Sequence, residues 1–453
     1  MPVPTLRFHE GTLILDHWVE KTNPPLFRWD PRSRTWRAMA LHYAKILKAF
    51  EEHQISHEDE ALAFTHLELN IKLNYDLYDH QSEALFEWMN QGSRGTVILP
   101  TGSGKSLVAI HAMAEMGTSS LVVAPTIDLM NQWYDRIGDA FKIDVGILGG
   151  GYHEIRPITV STYDSAYRHI DRYGHRFGFL IFDEIHHLPA PTYSQIPELS
   201  LAPFRLGLTA TYRRSDAQHL KLNHLIGPVV YEKRIKDLKG EHLSEYEIHR
   251  IHIALTPQEK KEYSALSDSY HQYVREKGIR FYGRRWETFI KESTYTPQAR
   301  RAMLARKEMR QILFGAELKL EALESLLKQH HKDRMIVFTE ANDLVYRISR
   351  RHLIPALTHK TDTVERKAIL DRFRRGEYRM IVTSKVLNEG VDIPDANVAV
   401  ILGGSASPIE HLQRLGRILR KKSGKKAILY EIITSGTQET NISYRRRESD
   451  AYR

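Results

Sequence analysis

"LPTGSGKS", residues 99–106, lies between the apolar run "TVILP" (96–100) and the helical pattern "LVAIHAMAEM" (107–116). In such a strand–turn–helix setting, backbone N–H groups can converge on phosphate oxygens and the helix offers its positive end. Gly102 and Gly104 let the backbone turn inward, Lys105 has the reach for β- and γ-phosphates, and the Ser106 hydroxyl can help hold Mg²⁺. Leu99, however, stands where the general loop G-x-x-x-x-G-K-[ST] carries its first glycine, so the loop alone leaves the kind of site open.

A second stretch narrows the choice. "FLIFDEIHH" (179–187) ends an apolar strand on two adjacent acids, Asp183 and Glu184. A metal lets two neighbouring carboxylates stay ionised, with Asp183 coordinating Mg²⁺ and Glu184 activating water. Phosphoryl transfer needs mainly positioning and charge neutralisation, so loop and acid pair supply most of a nucleoside triphosphatase. A third stretch, "QRLGRILR" (413–420), puts Arg417 and Arg420 three apart on a predicted helix, on one face, as arginine fingers require.

The apolar runs fall in two series. The first is "TVILP" (96–100), "SLVVA" (120–124), "ITVST" (158–162), "FLIFD" (179–183) and "RLGLTA" (205–210); the second is "MIVFT" (335–339), "LIPALTH" (353–359), "MIVTS" (380–384), "VAVILGG" (398–404) and "AILYEI" (427–432). Such runs, alternating with amphipathic segments, predict parallel strands covered by helices on both faces, hence two α/β domains. The phosphate loop belongs to the first and the arginines to the second. ATP is therefore expected in a cleft whose two walls open and close with hydrolysis.

Residues 240–330 differ in being charged, aromatic and helix-prone. From His271 to Arg310 there are 11 Lys/Arg against 4 Asp/Glu, interleaved with Tyr273, Phe281, Tyr282, Trp286, Phe289 and Tyr295. That pattern suits nucleic acid, with cations for phosphates and rings for bases. It suits equally a helical insertion whose rings form its own core. Residues 1–72, with "LFRWDPRSRTWRAMALHYAKILKAF" (26–50), read as a small separate domain carrying one amphipathic helix, and "SYRRRESDAYR" (443–453) as a flexible basic tail.

With 453 residues and a formal charge of +9 the chain has room for about three domains, and the charge raises the prior for a polyanionic partner. The absence of cysteine excludes disulfides, a thiolate nucleophile and cysteine-ligated metals. No apolar run approaches the ~18 residues of a membrane span, and "MPVPTLRFHEGTLILDHW" (1–18) is too broken by prolines, an acid and histidines for a signal peptide. A cytoplasmic, nucleoid-associated protein without membrane contact is expected.

Taken in order, the motifs resemble the core of superfamily 2 helicases, whose loop [A/L]-P-T-G-x-G-K-[ST] dispenses with the first glycine. "LVVAPTIDLMNQW" (121–133) looks like motif Ia, "VSTYDSAY" (160–167) like the next DNA-facing motif, "FDEIHH" (182–187) like motif II and "GLTATYRR" (207–214) like motif III. "MIVFTEANDLVYRIS" (335–349) resembles motif IV, "IVTSKVLNEGVDIPDAN" (381–397) motif V and "QRLGRILR" motif VI. Within the superfamily, "DEIHHLPAPTY" (183–193) and "SLAPFRLGLTATYRRSD" (200–216) carry a resemblance to the XPB family, the xeroderma pigmentosum group B helicases of nucleotide excision repair.

This resemblance implies two RecA-like parallel-sheet motor domains (73–238 and 313–453), an N-terminal damage-recognition-like domain (1–72) and a thumb-like basic helical insertion (239–312). It implies ATP and Mg²⁺ as cofactors, 3′→5′ polarity on forked or junction DNA, and a nuclease partner. Gln81 would read adenine, although the arginine frequent just upstream is Tyr78 here; Pro100, Thr101, Gly102, Ser103, Gly104, Lys105 and Ser106 would cradle the phosphates. Gly390, Asp392 and Gln413 would also contact nucleotide. His186, Thr209 and Thr211 would couple the site to a DNA track through Thr126, Thr162, Thr339 and Thr383. After motif III the family carries an Arg-Glu-Asp triad implicated in strand separation; here it reads Arg214, Ser215, Asp216. A double-strand translocase or an RNA helicase on the same core, or an ATP-gated scaffold for a nuclease, are the alternatives.

Overall fold

The computed structural model describes residues 3–18, 23–72, 76–212, 217–238, 246–279, 284–384, 396–403 and 427–446. Arg214, Ser215, Asp216, Phe281, Tyr282, Gly390, Asp392, Gln413, Arg417 and Arg420 lie outside the described residues. The described chain up to Asp237 forms one compact unit and that from Leu238 onward a second.

The first unit begins with a hairpin of β1 (Thr5–His9) and β2 (Thr12–Asp16). Its two-residue turn, Glu10 and Gly11, has φ of 47° and 76°, the left-handed pair that matches strand twist. Strands β3 (Arg28–Asp30), β4 (Thr35–Met39) and β5 (Glu58–Asp59) complete a sheet in the order β3-β4-β2-β1-β5. Helix α1 (Tyr43–Glu52) buries Tyr43, Ile46 and Phe50 against Leu6, Leu13 and Leu15. The helix is the one the sequence suggests. The sheet is an addition, built from strands too short and too exposed to read as apolar runs.

The rest of the unit is an eight-stranded sheet with the order β13-β6-β12-β11-β7-β10-β8-β9. Along the chain come α2 (Asp79–Asn90), β6 (Arg94–Ile98), α3 (Lys105–Met116), β7 (Ser120–Ala124), α4 (Ile127–Phe141), β8 (Gly146–Gly149), β9 (Tyr152–Glu154), β10 (Ile158–Thr162) and α5 (Tyr163–Tyr173). They are followed by β11 (Phe179–Asp183), the short α6 (Gln195–Glu198), β12 (Phe204–Thr209), the short α7 (Leu222–Leu225), β13 (Val229–Glu232) and α8 (Ile235–Leu238). Every pairing is parallel except that of β9 with β8. One face packs Trp88, Met113, Trp133 and Ile137 of α2, α3 and α4; the other packs Tyr163 and Ile170 of α5 with Leu225. Burial on both faces explains why β7, β10 and β11 read as unbroken apolar runs.

The second unit contains β14 (Tyr246–Ile253), α9 (Pro257–Glu276), α10 (Arg284–Tyr295), α11 (Pro297–Gly315), α12 (Glu317–Gln329), β15 (Met335–Phe338), α13 (Asn342–His352), β16 (Ala356–Leu357), α14 (Thr363–Arg375), β17 (Met380–Thr383), β18 (Val398–Ile401), β19 (Ala427–Thr434) and a C-terminal helix, Gln438–Arg446. Its sheet is parallel throughout, in the order β14-β19-β18-β15-β17-β16. The two units thus carry RecA-like parallel sheets. Strand β14, "YEIHRIHI", lies in the stretch 240–330 read as helix-prone. It pairs with β19 along its whole length, but as an edge strand it alternates polar and apolar residues instead of forming an apolar run.

The interleaved rings of the basic region divide. Tyr273 and Phe289 belong to the buried core, with Tyr263, Tyr270, Ala302 and Met309 of α9 and α11. Trp286 is half-buried under the Arg306 guanidinium, 4.9 Å from its ring centre, and Tyr295 is exposed. Most of the described rings therefore serve packing. The basic tail also begins later than expected, because Ser443 is buried and hydrogen-bonds Glu431 Oε2 at 3.2 Å.

A buried ion pair fastens the C-terminal helix. Lys319, fully buried, donates to Leu402 O at 2.9 Å and to Glu439 Oε2 at 2.7 Å; Glu439 Oε2 also accepts from Thr434 N at 2.9 Å. Removing one partner strands a charge in a low-dielectric interior. Lys319→Ala is expected to destabilise the second unit by roughly 3–5 kcal/mol, and pairing Lys319→Met with Glu439→Leu to recover most of that loss. Denaturant unfolding of the unmodified protein and the two variants measures both effects.

Candidate active site

The phosphate loop grows out of β6. Leu99 is fully buried in the core beneath the loop and its N–H donates to Thr209 O at 3.0 Å. A residue at this position is held by packing, which a glycine could not provide. Gly102 and Gly104 have φ of 88° and 82°, a region that disfavours any Cβ. At Gly104 a Cβ would lie 2.2 Å from Gln81 Nε2. The loop's far side is latched by Ser103 O, which accepts from Gln81 Nε2 at 2.7 Å and lies 3.0 Å from His80 Nε2. Gln81 Oε1 meanwhile accepts from Tyr78 N at 2.9 Å, so one end of its amide braces the loop and the other caps α2. Pro100 O accepts from the Ser103 hydroxyl at 2.8 Å. Lys105 curls over the loop, its Nζ 3.1 Å from Leu99 O and 3.2 Å from Pro100 O.

Opposite stands the end of β11. Asp183 Oδ2 accepts from the Trp133 indole at 2.9 Å, and Oδ1 from Glu184 N at 3.0 Å. Burial, then the neighbouring Glu184 carboxylate, push the Asp183 carboxyl above the ordinary carboxylate range, while the Trp133 hydrogen bond and the Lys105 charge pull it back. Glu184 has φ 47°, uncommon for a non-glycine residue and typical of strain held at functional sites. His186 Nδ1 is 3.4 Å from Glu184 Oε2 and 3.2 Å from Thr209 Oγ1. Thr209 Oγ1 in turn donates to Thr211 O at 2.9 Å and accepts from Thr211 N at 3.0 Å. The structure thus brings Glu184, His186, Thr209 and Thr211 into one relay across neighbouring strands.

The residues present fit a metal–nucleotide group. The Thr101 hydroxyl is buried without a hydrogen-bond partner at the loop, and Gly102 and Gly104 hold the loop backbone in the left-handed region. The donors are oxygen atoms, Ser106 Oγ and the Asp183 carboxylate, the hard ligands that Mg²⁺ prefers. Ser106 Oγ accepts from Arg136 Nη1 at 2.7 Å.

The expected DNA-facing threonines all stand at strand ends. Thr126 and Thr162 cap α4 and α5, accepting from Leu129 N at 3.3 Å and Ser165 N at 3.2 Å. Thr339 and Thr383 follow β15 and end β17, joined by Thr339 N donating to Thr383 O at 3.0 Å, with both side chains fully buried. Trp133, Arg136, His80 and Tyr163, whose hydroxyl donates to Asp183 O at 3.0 Å, are additions to the residues expected. Nothing in their local sequence marks them, since each acts on a group far along the chain.

A phosphate loop, a paired-acid strand end and a threonine relay on a parallel sheet define a nucleoside-triphosphate-driven motor of the helicase class. Residues 74–214 match the family of the type III restriction enzyme res subunit, residues 318–422 the helicase conserved C-terminal domain, and residues 6–61 the xeroderma pigmentosum group B helicase damage recognition domain. The chain is 40% identical over 444 residues to the DNA 3′-5′ translocase XPB2 of Sulfurisphaera tokodaii, covering 98% of this chain and 99% of that one. It is 30% identical to the DNA 3′-5′ helicase XPB of Mycobacterium tuberculosis, over 82% of this chain and 63% of that protein. A 27% identity links it to the XPB subunit of general transcription and DNA repair factor IIH of Schizosaccharomyces pombe, over 84% of this chain and 46% of the other. The chain belongs to the XPB family of ATP-dependent superfamily 2 helicases. No described helix is long and apolar enough to cross a membrane.

Gly104 packs directly against the Gln81 amide, with no room for a side chain. An alanine there meets both the left-handed backbone penalty and the Gln81 amide, so Gly104→Ala is expected to weaken ATP binding by about tenfold or more. Titration with a fluorescent nucleotide analogue reads the change.

Proposed function

We propose that the protein hydrolyses ATP with Mg²⁺ to advance 3′→5′ along DNA and to open forked or junction-containing duplex during nucleotide excision repair. The observation that carries this reading is the set of Lys105, at the start of α3 after the phosphate loop, and Asp183 and Glu184, at the end of β11, with Glu184 tied through His186 to Thr209 at the end of the adjoining β12. The names of the relatives supply polarity and substrate.

In this reading Ser106 and Asp183 hold the metal, which supplies charge neutralisation on the phosphates. Pro100, Thr101, Gly102, Ser103, Gly104 and Lys105 cradle the phosphates, with Gln81, Gly390, Asp392 and Gln413 as further nucleotide contacts. Glu184 accepts the proton of the attacking water, and His186, Thr209 and Thr211 relay its state. Arg417 and Arg420 act as arginine fingers. Thr126 and Thr162 cap helices whose N-termini are suited to the phosphates of a DNA strand; Thr339 and Thr383 mark the corresponding strand ends of the second unit, and Arg214 and Asp216 flank the strand-separation position. Residues 1–72 serve damage recognition and 239–312 act as a thumb. A nuclease partner and a place at the nucleoid complete the proposal. Duplex translocation without strand opening is the second reading. It is favoured by Ser215 at the centre of the Arg-Glu-Asp triad and by the name of the Sulfurisphaera relative.

Steady-state ATPase with no nucleic acid, single-stranded DNA, forked duplex, blunt duplex and RNA separates these. Forks or single strands are expected to stimulate most; stimulation by blunt duplex alone selects the translocase, by RNA the RNA helicase, and none at all an ATP-gated scaffold. Lys105→Ala should lower turnover by at least about 10²-fold while DNA binding persists in a gel-shift assay. His186→Ala should reduce the ratio of DNA-stimulated to basal turnover severalfold.

A further inference from the structure

Helix α4 reaches the nucleotide site twice. Its Trp133, 2% exposed, gives the indole N–H to Asp183 Oδ2 at 2.9 Å; its Arg136 gives a guanidinium N–H to Ser106 Oγ at 2.7 Å. Residues three apart share a helix face, so one face of α4 holds both oxygens read above as metal donors. The helix is anchored for this task, since Met130, Trp133, Ile137 and Ala140 are buried in the core of the sheet.

The same helix begins at Thr126, one of the threonines read as facing DNA, about 10 Å along the axis from Trp133 at 1.5 Å per residue. Its first turn lies against the glycine run 149–151. A Cβ on Gly150 would sit 3.3 Å from Ile127 Cγ2, and one on Gly149 would sit 3.2 Å from both Met130 Sδ and Thr162 Oγ1. The capped starts of α4 and α5 and this glycine turn therefore form one continuous patch. Gly149, Gly150 and Gly151 all have positive φ, so the backbone there can adjust without side-chain obstruction.

We propose that α4 is a mechanical link, in which Trp133 and Arg136 are positioning residues that set the orientation of Asp183 and Ser106 according to whether a nucleic-acid strand occupies the Thr126–Gly150–Thr162 patch. This rests on the reading of Ser106 and Asp183 as metal donors and of the patch as a DNA contact. Coupling of this kind is reciprocal. DNA must therefore change metal affinity, and the change must pass through the two α4 side chains.

The test is Mn²⁺ binding, read by electron paramagnetic resonance of free Mn²⁺, with a non-hydrolysable ATP analogue present and with or without a forked DNA. In the unmodified protein DNA is expected to tighten Mn²⁺ binding at least about fivefold, the lower end of ordinary coupling. Trp133→Phe keeps the ring in the core but removes the N–H; it is expected to weaken Mn²⁺ binding about tenfold or more, as loss of an outer-shell partner does, and to abolish the DNA effect. Arg136→Gln, on an exposed side chain, should reduce the DNA effect even if Trp133→Phe proves unstable in a thermal melt. A DNA effect on Mn²⁺ that survives intact in both variants, or is absent from the unmodified protein, overturns the link. Asp183→Asn separates the underlying reading: if that variant binds Mn²⁺ as the unmodified protein does, the metal assignment fails and the proposal with it. If Asp183→Asn loses Mn²⁺ while Trp133→Phe and Arg136→Gln retain metal and coupling, the link alone is wrong.

Discussion

Two carboxylates on adjacent residues, at the end of a strand buried on both faces, are the constraint around which the first unit is arranged. Asp183 and Glu184 cannot be moved apart by side-chain rotation alone, and taking either charge out of water costs several kcal/mol unless it is paired or hydrogen-bonded. The surrounding structure answers that cost with the Trp133 indole and the Glu184 N–H on Asp183 and with His186 on Glu184. Lys105 adds a positive charge that acts on Asp183. Burial still keeps the Asp183 carboxyl above its ordinary range, an electrostatic cost that the proposed divalent cation would lower. Even the left-handed backbone at Glu184 belongs to this arrangement.

The second unit solves a different problem with related means. Its sheet is parallel and fully wound, but its buried charges are tied off by protein partners: Lys319 with Glu439, and Glu431 with Arg250 and Ser443. These pairs tie α12 and the C-terminal helix to the sheet. The helices α9–α11 bury their rings in a core continuous with that of the sheet and present the basic residues around it. Arg310 pairs with Glu340, at the end of β15, while its guanidinium lies over the Phe314 ring. Positive charge in this region is therefore partly engaged in fixing the helices and partly exposed to solvent.

Legibility in the sequence followed burial and locality. Strands β7, β10 and β11 were readable to the residue because both of their faces are covered, whereas β14 and the N-terminal strands hide in alternation and short length. The loop 99–106 and the pair Asp183–Glu184 were visible because each is a contiguous chemical statement; the Glu184–His186–Thr209 relay was reachable through family resemblance. The Trp133–Asp183 and Arg136–Ser106 contacts span 50 and 30 residues and depend on the packing of α4 against the sheet, which no local pattern encodes. The balance between packing and recognition among the rings of α9–α11 likewise required the fold, because tyrosine and phenylalanine serve both ends equally well in composition.

In the proposed mechanism Ser106, Asp183 and Glu184 form one metal-assisted hydrolytic centre. The most direct measurement is a crystal structure of the complex with ADP, aluminium fluoride and Mn²⁺, with the metal located by anomalous scattering. Mn²⁺ is expected at roughly 2.1 Å from Ser106 Oγ, on the Asp183 side of the loop, with the Glu184 carboxylate hydrogen-bonded to the water opposite the leaving group. Metal density away from both Ser106 and Asp183, or a nucleotide bound with Glu184 turned from its terminal phosphate, would contradict it.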